Sequence, residues 1–137
     1  MTVNRPEDLF EGFDHSAYAQ EARERWPEQA ASSERWLATQ SADAQEEGRR
    51  AWTARMVRMA ELRAAGAAPD DPRVQEEIQG VHDGILPMWT PTAEAFRGLG
   101  ATYVDDPRFA ETFDRVSPGL GGYFRDAMTV FADTRLR

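Results

Sequence analysis

The chain has 137 residues, 41% of them apolar and 10% aromatic, which suits one domain that buries a core without staples and excludes a disordered composition. It has no cysteine and two histidines, His15 and His82, which excludes disulfides, thiol nucleophiles, zinc–thiolate sites and multi-histidine metal centres. The formal net charge is -8, with 11 acidic and 4 basic side chains in residues 1–48, so direct nucleic-acid binding, which rests on phosphate neutralisation, is not expected.

In chain order, Asp14 is expected to cap a first helix running through Arg25, with Tyr18, Ala22 and Trp26 on its face. Residues 32–39, with Trp36 and Leu37, read as a short helical turn. Ser41 opens the longest run, with Ala44, Gly48, Trp52, Met56, Met59 and Leu62 along one side, and Gly66 suits its C-cap. Arg49, Arg50, Arg55, Arg58 and Arg63 on this run read as a solvated face. Asp71-Pro72, Thr90-Pro91, Asp106-Pro107 and Ser117-Pro118 each put a capping oxygen before a proline, which suits a helix start. The residues that follow carry helical stripes: Val74, Ile78, Val81 and Ile85; Phe96, Leu99 and Tyr103; Phe109, Phe113 and Val116; Leu120, Phe124, Ala127 and Phe131. Strand signals are nearly absent. The expectation is an all-α single domain over residues 1–137, with five to six substantial helices and connections at 66–71, 86–91 and 104–106. No apolar run approaches the length of a bilayer span and no signal segment is evident, so no membrane association and a cytoplasmic setting are expected.

Few residues suggest chemistry. Asp105 and Asp106 could belong to a metal loop or a catalytic carboxylate pair, but their place before Pro107 favours a helix cap. Gly119-Leu120-Gly121-Gly122 has no preceding strand and no following lysine, so close approach of another helix fits better than phosphate binding. Two histidines do not make a convincing triad, and neither catalysis nor a cofactor is expected. His82 lies one position off the stripe of its helix, either as a boundary residue with one nitrogen bonded or as a polar handle for an amide-rich ligand. Trp89, in the turn Pro87-Met88-Trp89, is not demanded by helical periodicity. A tryptophan on such a loop suits core packing or an aromatic ligand equally.

Three ordered motifs add a resemblance. They are Tyr18-x-x-Glu21-Ala22-x-x-Arg25-Trp26, Leu99-Gly100-x-x-Tyr103-Val104-x-Asp106-x-Arg108-Phe109, and Pro118-Gly119-Leu120-x-x-Tyr123-x-Arg125-Asp126-Ala127. Together they resemble the thiostrepton-recognition, or TipAS, family of antibiotic-binding domains over residues 9–131. The resemblance implies a globin-like all-helical fold whose cleft takes bulky aromatic or cyclic peptide antibiotics, with related domains binding albicidin. It also implies that the segment leading into the second motif lines that cleft. Here that segment supplies His82, Ile85, Leu86, Met88, Trp89, Phe96, Leu99 and Tyr103 as ligand-binding candidates. Trp89, Phe96 and Tyr103 would stack, Met88 would fill adaptably and His82 would give a polar contact. For Phe96 and Tyr103, ordinary core packing is an equal alternative.

Two departures qualify the expectation. Gly98 stands where the best-known member has the cysteine that captures drug covalently, so binding here is expected to be reversible. Many members carry a MerR-type DNA-binding domain, whereas no such segment precedes residue 9, and promoter recognition by this polypeptide is not expected. The leading reading is a stand-alone protein that sequesters an antibiotic for resistance or self-protection. The alternatives are a ligand-sensing domain acting through a partner, either a regulator in trans or a homodimer, and an enzyme that modifies the bound natural product.

Overall fold

The structure, a computed structural model, describes residues 15–136, with side chains from residue 19 onward. The proposed Asp14 cap and the Tyr18 side chain lie outside the described residues. Seven helices follow one another: α1 (His15–Arg25), α2 (Pro27–Ala38), α3 (Ala42–Ala64), α4 (Pro72–Ile85), α5 (Ala93–Asp105), α6 (Pro107–Val116) and α7 (Leu120–Arg135). No strand occurs among the described residues. The all-α expectation therefore holds, with seven helices rather than five to six.

The seventh is α2, where a short turn was expected at 32–39. It begins at Pro27 with Trp26 in the N-cap position and no side-chain cap bond. Proline at the first helical position needs no amide partner, so the helix starts without a capping oxygen. Trp26 itself is 39% exposed, with the Arg25 guanidinium carbon 5.0 Å from its ring centroid. It is a surface residue between α1 and α2 rather than part of a buried face.

Caps decide the other boundaries. The Ser41 side chain accepts from the Ala44 amide at the start of α3. At the far end, the Gly66 amide donates to the Arg63 carbonyl and the Ala67 amide to the Leu62 carbonyl. Gly66 has φ +86°, so this is a Schellman ending that favours glycine. Asp71 and Asp106 cap α4 and α6, accepting from the Arg73 and Arg108 amides, as their Asp-Pro pairs indicated. The other two proline pairs do something else. Thr92, not Thr90, caps α5 by accepting from Ala95. Ser117 closes α6, and α7 starts from left-handed Gly119. The expected connection at 104–106 shrinks to Asp106, which ends α5 and caps α6 at once.

The core forms around α7, which packs on α3, α4, α5 and α6. Its Leu120, Phe124, Ala127, Met128 and Phe131 are buried, together with Met56, Met59, Val74, Ile78, Phe96 and Phe113 from the surrounding helices. The α5–α7 seam is close because glycines face it. A Cβ on Gly100 would lie 3.2 Å from the Arg125 Cα, and one on Gly121 would lie 3.0 Å from the Tyr103 carbonyl oxygen. Gly121 thus serves the helix approach expected of the glycine-rich segment. Arg55 and Arg58 of α3 reach the Glu77 carboxylate of α4 at 3.2 and 3.0 Å. Burial would raise the Glu77 carboxyl, but hydrogen bonds from both guanidinium groups outweigh it and hold it below its ordinary value.

Candidate functional site

The end of α4 and the turn after it make a lip. The Leu86 amide donates to the His82 carbonyl, and the Met88 and Trp89 amides both donate to the Ile85 carbonyl, at 2.8 and 3.1 Å. The backbone therefore folds back on the last turn of α4 before Pro91 and the Thr92 cap begin α5. Pro87 and Pro91 fix two φ angles on either side of Met88 and Trp89. Leu86 is 43% exposed, while Met88 and Trp89 are half-buried. A short, stiff segment thus holds three large side chains at the surface.

The remaining candidates sit deeper. Ile85 and Leu99 are partly buried against the core. Phe96 is fully buried and Tyr103 nearly so. The structure brings His82 and Phe96 together with Phe131: ring centroids lie 5.7 Å apart for His82–Phe96, 5.4 Å for His82–Phe131 and 5.4 Å for Phe96–Phe131. Tyr103 stands in a second aromatic group with Trp52, Phe109, Phe113 and Phe124, at centroid distances from 4.8 to 6.4 Å. In this conformation Phe96 and Tyr103 pack in the core. The surface-facing part of the candidate set is Leu86, Met88 and Trp89.

His82 differs from the boundary histidine with one bonded nitrogen that the sequence suggested. Both ring nitrogens are shut off from solvent, and neither has a hydrogen-bond partner among the described residues. The Asp83 carboxylate is 4.0 Å from Nδ1, too long for a hydrogen bond. A buried polar group left unpaired costs about 1–3 kcal/mol, which makes His82 the polar group in the candidate set with bonding capacity to spare.

Asp106 serves as the α6 cap and as an ion-pair partner of Arg108. Asp106 binds the Arg108 guanidinium through two oxygens, at 3.0 and 2.7 Å, and this arginine holds its carboxyl below the usual range. Arg108 also reaches Glu21 of α1 at 2.5 Å, and the two acids together raise the arginine further. No group of three or more metal-ligating side chains occurs among the described residues. At the position of the missing cysteine, Gly98 is exposed and a Cβ there would meet nothing within 4 Å.

Helices α1 and α2 pack on one another, and α2 has no fully buried residue. Contacts from this pair to the rest of the described residues include the Glu21–Arg108 ion pair and a hydrogen bond from the Ser32 hydroxyl to the Met88 carbonyl of the lip. Sequence reasoning missed Ser32. A single hydroxyl on a helix gives no periodic signal, and its partner lies 56 residues away. Phe131 was read as core, and only the fold shows it closing over His82.

The profile of the TipAS antibiotic-recognition domain matches residues 18–131. The HTH-type transcriptional regulator SkgA of Caulobacter vibrioides is 31% identical over an alignment covering 93% of this chain and 53% of SkgA. The HTH-type transcriptional activator TipA of Streptomyces coelicolor is 32% identical, with 93% of this chain and 53% of TipA covered. The chain therefore spans about half the length of these two relatives. Among solved structures it is similar to TipAS in complex with nosiheptide, from a thiopeptide antibiotic multidrug resistance system of Streptomyces lividans. That likeness has a TM-score of 0.83 and 26% identity, and it covers 100% of this chain and 98% of the other.

Proposed function

The chain belongs to the TipAS antibiotic-recognition family, and from that premise we propose that it binds a bulky aromatic or cyclic peptide antibiotic reversibly and without turnover. The observation that carries this reading is the end-to-end likeness to a domain solved with nosiheptide bound. The lip supports it: Leu86, Met88 and Trp89 offer an apolar, partly aromatic surface on a stiff backbone, the kind of surface that binds large rings at little ordering cost. Gly98 supports reversibility, because no nucleophile stands at the capture position and the chain has no cysteine.

Sequestration for resistance or self-protection is the leading role, with thiopeptides as the first ligand class and albicidin-like compounds as the second. Protective sequestration needs nanomolar affinity, about 12 kcal/mol. One half-buried tryptophan does not supply that, so deeper rings such as Phe96 must also be engaged. A second reading is favoured by SkgA and TipA being HTH-type regulators: the domain senses the drug and acts through a partner, or as a homodimer.

The test is a titration with nosiheptide, other thiopeptides and albicidin, followed by tryptophan fluorescence, intact mass and size-exclusion chromatography. Saturable one-to-one binding with the drug mass unchanged, no adduct and no change in oligomer supports sequestration. A drug-dependent change in oligomer supports sensing. Conversion of the drug to a product, or no binding across the panel, overturns the proposal.

A further inference from the structure

We propose that Arg135 latches a polar strap over the His82–Phe96–Phe131 rings, and that a ligand reaches these rings by swinging the strap aside. The role rests on the binding function proposed above and says where its buried rings open. Two contacts one helical turn long and one bond between helices make the strap. On α7, the Arg135 guanidinium carbon lies 5.2 Å from the centroid of the Phe131 ring, one turn back. On α4, the Gln79 side-chain nitrogen donates to Asp83 Oδ1 at 2.9 Å. The crossing bond runs from Arg135 Nη1 to Gln79 Oε1 at 3.0 Å. Asp83, at the end of this chain of contacts, stands beside His82, 4.0 Å from its Nδ1.

Tight binding has to engage rings that are shut in this conformation, with Phe96 0% and Phe131 1% exposed. Two of the three sides around them are held by backbone. Between α5 and α7 a Cβ on Gly100 would already crowd the Arg125 Cα at 3.2 Å, so these helices leave no passage. Between α4 and α5 the Met88 and Trp89 amides are tied to the Ile85 carbonyl. Between α4 and α7 the outer groups are side chains, with Arg135 and Asp83 exposed and Gln79 half-buried. They can rotate without moving a helix, and exposed polar contacts of this kind are weak against water. What lies beneath gives a ligand a reason to displace them. The strap's hydrogen bonds pass His82 by, and both its ring nitrogens are buried without a partner among the described residues. A neutral imidazole carries one donor and one acceptor, so an amide or hydroxyl of the ligand can pair with a nitrogen that the closed form leaves unpaired. That is the differential contact a shift toward the open form requires. Cutting the latch raises the open fraction before ligand arrives, so association quickens while the bound state, already unlatched, is unchanged.

The experiment compares Arg135→Ala and Gln79→Ala, singly and together, with Arg97→Ala, which removes the exposed Arg97–Asp133 pair of α5 and α7 outside the strap. Diethyl pyrocarbonate with peptide mapping reads access to the His82 nitrogens in the free protein. Stopped-flow fluorescence reads nosiheptide association and dissociation. In Arg135→Ala, His82 carbethoxylation and drug association are both expected to quicken about three- to tenfold, the scale of one net hydrogen bond. Dissociation should stay within about twofold of the parent. The double variant should go no further than Arg135→Ala, because both changes undo the same crossing bond, and Arg97→Ala should match the parent. Unchanged His82 carbethoxylation in Arg135→Ala overturns the proposal. So does equal quickening in Arg97→Ala, a double variant whose effects add, or faster dissociation with association unchanged. If the parent protein binds no thiopeptide, the binding function falls, while His82 carbethoxylation in the free protein still decides whether the strap closes over the ring.

Discussion

Replacing Gly121 by alanine tests the α5–α7 seam that positions Phe96, Leu99 and Tyr103. On helix propensity alone the change would stabilise the protein by up to about 1 kcal/mol. Contact reverses the sign. The new Cβ would sit 3.0 Å from the Tyr103 carbonyl oxygen, and that oxygen belongs to the backbone of α5, so relief requires the two helices to move apart. Overpacking of this kind costs about 1–3 kcal/mol, so with the full propensity gain set against it the net loss is up to about 2 kcal/mol. For a domain of this length, with an unfolding entropy of about 0.3 kcal/mol/K, that is a drop of up to about 7 °C in melting temperature. Gly48→Ala is the matched control: it lies inside α3 with nothing within 4 Å of an added Cβ, and it should raise the melting temperature by about 2–3 °C. Differential scanning calorimetry reads both. A Gly121→Ala protein stabilised as much as Gly48→Ala would refute the close-approach reasoning.

Three further outcomes are expected. His82→Leu removes two buried, unpaired nitrogens and should raise stability by about 1 kcal/mol in urea unfolding, while drug affinity falls; a clear destabilisation would mean that packing outweighs the unpaired atoms. Glu77 has its folded-state pKa lowered by Arg58 and Arg55 despite burial, so its stabilising contribution is complete above the ordinary value of 4.5 and is lost as pH falls through the lower folded value. Stability measured from pH 6 to pH 3 should therefore fall less steeply in Glu77→Gln than in the parent, and identical profiles would contradict the linkage. Gly98→Cys places a thiol where there is room for it, and intact mass should show an adduct with a dehydroamino-acid thiopeptide that the parent never forms; no adduct despite binding would place the bound drug away from position 98.

The sequence revealed the fold best where one residue type has one mechanical use. Asp71-Pro72 and Asp106-Pro107 join a cap to a first-turn proline, and the structure starts helices at both. Thr90-Pro91-Thr92 offers two capping hydroxyls around one proline, and the second is used. Ser117-Pro118 looked the same locally, but left-handed Gly119 starts the helix. Helix α2 was reduced to a turn because its N-cap is Trp26, which has no capping oxygen. For the candidate site, periodicity could set Trp89 apart because the turn carrying it breaks the helical pattern. It could not separate Phe96 and Tyr103 from core, since a stripe residue looks the same whether it meets another helix or a ligand. The bond of Ser32 and the reach of Arg108 to Glu21 depend on tertiary distance and left no pattern in the chain.

Asp106 has a consequence for how the molecule can vary. Because one residue ends α5 and starts α6, the corner between them has no slack, and the two helices behave as the arms of a bracket. Loops elsewhere in the fold can absorb an extra residue. Here an insertion would uncouple the carboxylate from either the ending helix or the starting one. The same bracket carries Arg108, whose guanidinium grips both Asp106 and Glu21. The corner that joins α5 to α6 is thus also the point at which α1 is tied to both, through one aspartate and its arginine.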